Sequence, residues 1–123
     1  MELIIGGRAQ GKLEYTLKVA NRSNDEVANA VLDDRKPVVY HLEEVIRNLM
    51  KEQKEIMSAL ELYLEKQPEG YLICEEVGCG IVPLIKEERL FRDTVGRTLC
   101  ELVKKSTRVH RVFCGIGVVI KDE

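Results

Sequence analysis

Short apolar runs rich in β-branched residues alternate along this chain with amphipathic stretches of helical period, and that alternation constrains the fold more than any other feature. Glu2-Leu3-Ile4-Ile5 is the first run, stopped by Gly6-Gly7. Leu13, Leu17 and Ala20 then recur at helical spacing from near Gly11 until the polar cluster Asn21-Arg22-Ser23-Asn24-Asp25. The stretch from there to Asp34 carries no clear period. Pro37-Val38-Val39-Tyr40-His41 reads as a strand, and Leu42, Val45, Ile46, Leu49, Met50, Ile56, Met57 and Leu60 read as the stripe of one long helix from Leu42 to about Lys66. Its apolar stripe, bordered by Glu and Lys, is expected in the core or at a subunit interface. Pro68-Glu69-Gly70 ends it, Tyr71-Leu72-Ile73-Cys74 follows as a buried strand, and Leu90, Phe91, Val95, Leu99, Leu102 and Val103 mark a helix from about Lys86 to Lys105. Residues 109–114 and 118–120 supply the last strand signals. Strands joined through helices in the order β-α-β-α-β-α-β need crossover connections, so a three-layer α/β domain with a mainly parallel central sheet is expected.

At 123 residues the chain is expected to form a single domain over 1–123. Nineteen Lys and Arg against 21 Asp and Glu leave a net charge of −2, and there is no tryptophan, so neither bulk electrostatics nor aromatic stacking favours nucleic acid as a partner. No run of eighteen apolar residues is present, and the opening Met-Glu-Leu-Ile-Ile-Gly-Gly lacks a basic, cleavable leader, so no membrane span and a cytoplasmic location are expected. Cys74, Cys79, Cys100 and Cys114 contain no C-x-x-C pair and have only two histidines beside them, so they read as free thiols and no metal site is expected.

Gly6-Gly7-Arg8-Ala9-Gln10-Gly11-Lys12-Leu13 fits G-x-x-x-x-G-K, and it lies between the first strand and the first helix, where a phosphate-cradling loop must lie. In such loops backbone N–H groups and the helix N-terminus point at phosphate oxygens while the lysine supplies a point charge, here Lys12. The plainer alternative is a glycine turn with an exposed lysine. Leu13 stands where the working loop carries Ser or Thr, so it offers no hydroxyl to Mg²⁺. Binding of a nucleotide, GTP or ATP, is therefore better supported than turnover, and Mg²⁺ lacks its usual ligands.

A second set of motifs is Glu75-Glu76-Val77-Gly78-Cys79-Gly80-Ile81-Val82-Pro83, then Phe91-Arg92-Asp93 with Gly96-Arg97, then Cys114-Gly115-Ile116-Gly117. Together with the loop, this set resembles the bifunctional adenosylcobinamide kinase / adenosylcobinamide-phosphate guanylyltransferase family of cobalamin biosynthesis, whose motifs run G-G-A-R-S-G-K-S, N-E-V-G-x-G-I-V-P and F-R-D-x-x-G-R in that order. The resemblance implies a phosphate-loop NTPase-like fold, a trimer, and two reactions: phosphorylation of adenosylcobinamide, and transfer of GMP from GTP through a guanylylated histidine. It matches Gly6, Gly7, Gly11 and Lys12 to the nucleotide loop and Glu76 to the central glutamate. Val77, Gly78, Gly80, Val82 and Pro83 become the scaffold of that loop, and Arg92, Asp93, Gly96 and Arg97 the later motif.

Three departures all remove reaction chemistry. Leu13 replaces the loop serine, His41 falls on the strand where the family has an aspartate, and the segment carrying H-R-x-x-R-P and the guanylylated histidine has no counterpart. The resemblance therefore implies a shortened relative that keeps nucleotide binding, with a corrinoid as the acceptor class, guanylyl transfer lost and kinase activity weakened; a regulatory or oligomeric scaffold is the alternative. The expected site is Lys12 and Glu76 for chemistry, with Gly6 to Leu13 holding the nucleotide. Glu75 reads as a solvated or capping residue, and His41 and His110 as packed or half-exposed histidines. On one helix Arg92 and Arg97 point about 140° apart, so at most one faces a phosphate.

Overall fold

A computed structural model describes residues 1–76 and 85–123. The apolar runs become β1 (Glu2–Gly6), β2 (Val27–Asn29), β3 (Val38–Tyr40), β4 (Tyr71–Glu75), β5 (Arg108–Phe113) and β6 (Ile116–Asp122), and the periodic stretches α1 (Lys12–Ala20), α2 (Leu42–Lys51), α3 (Ile56–Lys66) and α4 (Lys86–Lys105). All six strands join one sheet in the order β2-β3-β4-β1-β5-β6; the first five are parallel and β6 returns antiparallel beside β5.

Side-chain alternation along the strands sorts the layers. Leu3, Val39, Leu72, Cys74 and Val109 point to the face covered by α2, α3 and α4, where they meet Leu42, Ile46, Leu60, Phe91, Val95 and Leu102. Ile4, Val38, Ile73 and Val112 point the other way, onto Leu13, Tyr15 and Leu17 of α1. The result is the three-layer α/β architecture of a phosphate-loop NTPase-like fold. Arg47 of α2 fastens this packing, its guanidinium lying 3.8 Å from the Phe91 ring centroid and 3.0 Å from Glu88.

The expected helix over residues 42–66 is two helices. Its stripe lapses over Lys51-Glu52-Gln53-Lys54-Glu55, five polar residues and more than a full turn, so nothing holds that segment to the core. Gln53 turns left-handed (φ 55°), and Glu55 opens α3 by accepting hydrogen bonds from the backbone N–H groups of Met57 and Ser58. The aperiodic stretch before Asp34 contains β2, a three-residue edge strand. His41, read as part of a strand, lies just past β3 in a left-handed conformation (φ 60°) at the start of α2.

Parallel order places the C-terminal ends of β1, β3, β4 and β5 along one edge of the sheet, so the residues after Gly6, Tyr40, Glu75 and Phe113 gather there. Among the described residues no helix is long and apolar enough to cross a membrane.

Candidate functional site

The turn after β1 is built for close backbone approach. Gly6 admits no side chain: a Cβ there would sit 2.6 Å from the carbonyl oxygen of Val112. Ala9 (φ 57°) and Gly11 (φ 82°) are both left-handed, and Gly11 passes directly into α1 with Tyr15 N–H on its carbonyl at 3.1 Å. Successive N–H groups of such a turn, at the start of a helix, form an anion-binding concavity. Lys12, only 7% exposed, folds back so that Nζ donates to the Gly7 carbonyl at 2.6 Å. Thr16 Oγ1 donates to the carbonyl of Lys12 one turn along the helix.

The turn between β5 and β6 braces this loop from the other side. Gly115 N–H donates to the Gln10 carbonyl (2.8 Å) and Cys114 N–H to Gln10 Oε1 (2.7 Å), while a Cβ on Gly11 would lie 3.3 Å from Gly115 Cα. Tyr15 extends the brace, its ring lying across Gly117 and its hydroxyl 2.8 Å from His110 Nδ1. His110 Nε2 meets Glu2 Oε1 at 2.7 Å, so α1, β5 and β1 are tied through one buried ring. Burial, followed by the charge of Glu2, pushes the Tyr15 phenol above its ordinary range.

In front of the loop opens a cavity of about 360 Å³, lined by Arg8, Ala9, Lys12, Tyr40, His41, Glu43, Glu44 and Glu75. Glu43 is 4% exposed, and its Oε1 accepts the N–H of Glu75 at 2.9 Å, which joins α2 to the end of β4 beside Lys12. Burial and the nearby Glu43 charge push the Cys74 thiol far up, so this cysteine is an inert core residue. The same two causes raise the Tyr40 phenol.

Of the residues singled out in the sequence, Arg8, Ala9 and Lys12 line this cavity, and the carboxylate facing them from β4 is that of Glu75. Glu76 has its N–H on the Gly6 carbonyl (2.8 Å) and its carboxylate on Arg111 of β5 (3.2 Å), so it fastens the foot of the loop. Leu13, on α1, packs against the sheet. Arg92, Asp93, Gly96 and Arg97 line a separate surface groove along α4 with Cys100 and Glu101; α4 is continuous, and both arginines border that groove. Val77, Gly78, Gly80, Val82 and Pro83 lie outside the described residues.

Sequence spacing does not point to Glu43, His41 or Asn29 as site residues. Glu43 sits on the polar border of a helix stripe, and the turn after β3 brings it to the cavity that Lys12 also lines. For a resident Mg²⁺ the fit fails among the described residues: Leu13 has no hydroxyl, the Thr16 hydroxyl is spent on a backbone carbonyl, and no three His, Cys, Asp or Glu side chains converge.

The bifunctional adenosylcobalamin biosynthesis protein CobU of Escherichia coli (strain K12) is 46% identical over 50 residues, which cover 41% of this chain and 28% of that protein. The family model described as cobinamide kinase / cobinamide phosphate guanyltransferase matches residues 28–120, a span that begins after the loop from Gly6 to Leu13 and takes in most of β2 through most of β6. By that match over most of its length, the chain belongs to the cobinamide kinase / cobinamide phosphate guanyltransferase family.

Proposed function

We propose that this chain binds the phosphates of a nucleoside triphosphate, GTP or ATP, in the loop from Gly6 to Leu13, and that the acceptor class it serves is a corrinoid such as cobinamide. The observation that carries the reading is Lys12: a buried ammonium held at the mouth of a glycine turn, at the start of a helix, on the C-terminal edge of a parallel sheet. Gly6, Gly7 and Gly11 permit the approach, Arg8 and Lys12 supply positive charge, Ala9 and Gln10 shape the turn, and Glu76 anchors its foot through Gly6 and Arg111.

Guanylyl transfer by the histidine route is not part of this proposal. Residues 21–37, between α1 and β3, contain no histidine, and both ring nitrogens of His110 are engaged. Phosphoryl transfer is expected to be slow beside relatives that keep the loop hydroxyl, because Leu13 cannot help hold Mg²⁺.

Calorimetric titration of the full chain with ATP and with GTP tests the reading. Micromolar affinity for at least one is expected, weakened about 100-fold in Lys12→Ala by loss of a charge-assisted contact. No heat from a folded protein contradicts it.

A second reading rests on the edge strand. Phe113, Ile116, Val118, Val119 and Ile120 are all exposed large apolar side chains on the β5–β6 hairpin. We infer self-association through this edge, as a trimer by resemblance to the family, in which the chain acts as a scaffold. Sedimentation showing only a 14.0 kDa species at working concentration removes it.

A further inference from the structure

His41, one of the residues lining the cavity before the Gly6–Leu13 loop, has one ring nitrogen anchored. His41 Nδ1 lies 2.7 Å from Asn29 Oδ1, on β2, and its ring stacks on Tyr40 with centroids 3.8 Å apart. With the amide oxygen as acceptor, Nδ1 carries the ring proton and Nε2 presents a bare lone pair. Among the described residues Nε2 has no hydrogen-bond partner, and His41 is one of the residues that line the Lys12 cavity. Among the described residues the charged groups lining that cavity are Arg8 and Lys12 from the loop and α1, Glu43 and Glu44 from α2, and Glu75 from β4, with the Tyr40 ring stacked on His41.

We propose that His41 Nε2 is the proton acceptor for an alcohol that attacks the terminal phosphate of the bound nucleotide, with Asn29 as its positioning residue. This rests on nucleotide binding at the loop as proposed above. The alcohol oxygen forms a bond to the γ-phosphorus as its proton passes to Nε2. The bond from that phosphorus to the bridging oxygen breaks, and the electron pair leaves with the nucleoside diphosphate. The products are a phosphate monoester and a protonated His41, which returns its proton to water. Asn29 holds the tautomer throughout, as the orienting partner of a catalytic imidazole does.

The test uses the full chain, cobinamide as the alcohol, ATP and GTP as donors, and a non-hydrolysable analogue of each for affinity. His41→Gln is expected to keep analogue affinity within about twofold and to lose about 100-fold or more in kcat, the usual contribution of a positioned base. Asn29→Ala is expected to lose about tenfold in kcat with KM unchanged, and ¹⁵N spectra of its His41 ring should show a mixture of tautomers where the unmodified protein shows Nδ1–H alone. Unreduced kcat in His41→Gln overturns the assignment, as does a wild-type ring protonated at Nε2. Analogue binding without any transfer to cobinamide also overturns it while nucleotide binding stands. No analogue binding brings down both.

Discussion

The two histidines occupy opposite ends of what a fold can do with an imidazole. His110, 2% exposed, spends both nitrogens on Tyr15 and Glu2 and thereby ties a helix to two strands. His41 spends one nitrogen on Asn29, has no described partner for the other, and lines the cavity that Lys12 also lines. A buried polar group with all partners made rigidifies its surroundings, and removing it strands those partners without water. A surface imidazole with one nitrogen anchored costs the fold little and leaves a lone pair for chemistry. Partner count, more than residue type, separates the brace from the candidate base.

The widest separation should come from stability. His110→Ala leaves the Glu2 carboxylate, the Tyr15 hydroxyl and a cavity behind, and should cost about 3 kcal/mol, whereas His41→Ala should stay within about 0.5 kcal/mol. Urea unfolding of the two variants checks this, and equal losses would erase the distinction. A smaller effect reaches the same brace from its other end. Gly117→Ala drives a methyl into the Tyr15 ring, which His110 holds in place, and should cost about 2 kcal/mol by crowding. In a Tyr15→Phe background that penalty should fall, because the ring is then free to swing aside; a double-mutant cycle reads the coupling.

Tyr15→Phe by itself should cost about 1 kcal/mol at neutral pH, the worth of one hydrogen bond. Its pH dependence has a definite sign. The folded protein holds the Tyr15 phenol protonated above its ordinary value of about 10, so the stabilisation from this group is complete below that value and is lost as pH rises through the folded one. The difference between wild type and Tyr15→Phe should therefore shrink in alkaline melts. A gap that widens with pH would mean that the hydroxyl is not held as a donor to His110.

Much of the fold was legible because parallel α/β chains write each element as a block: β1, α1, β4 and α4 fall where apolar runs and stripes place them. The division of residues 42–66 was legible in principle, since five consecutive polar residues leave a helix face with nothing to bury. Strand β2 was not, because three residues against a single neighbour carry too little pattern. Within the site, glycine spacing announced the loop and Lys12. Glu43 and His41 stayed hidden because the left-handed residue after β3 sets their direction, and such a turn has no signature when the residue is not glycine. Glu75 and Glu76 show the same limit: strand alternation turns the first toward Lys12, while the second ends on Arg111, a strand distant in sequence.

The most direct test of the account is a residue-resolved one. Amide spectra of the uniformly ¹⁵N-labelled full chain, titrated with non-hydrolysable analogues of ATP and GTP, show which residues meet the nucleotide. The largest shifts are expected at Gly7, Ala9, Gly11 and Lys12, with smaller ones at His41 and Glu75, and no response at Arg92 or Arg97 on α4. Shifts concentrated in the α4 groove, with the loop silent, would contradict it.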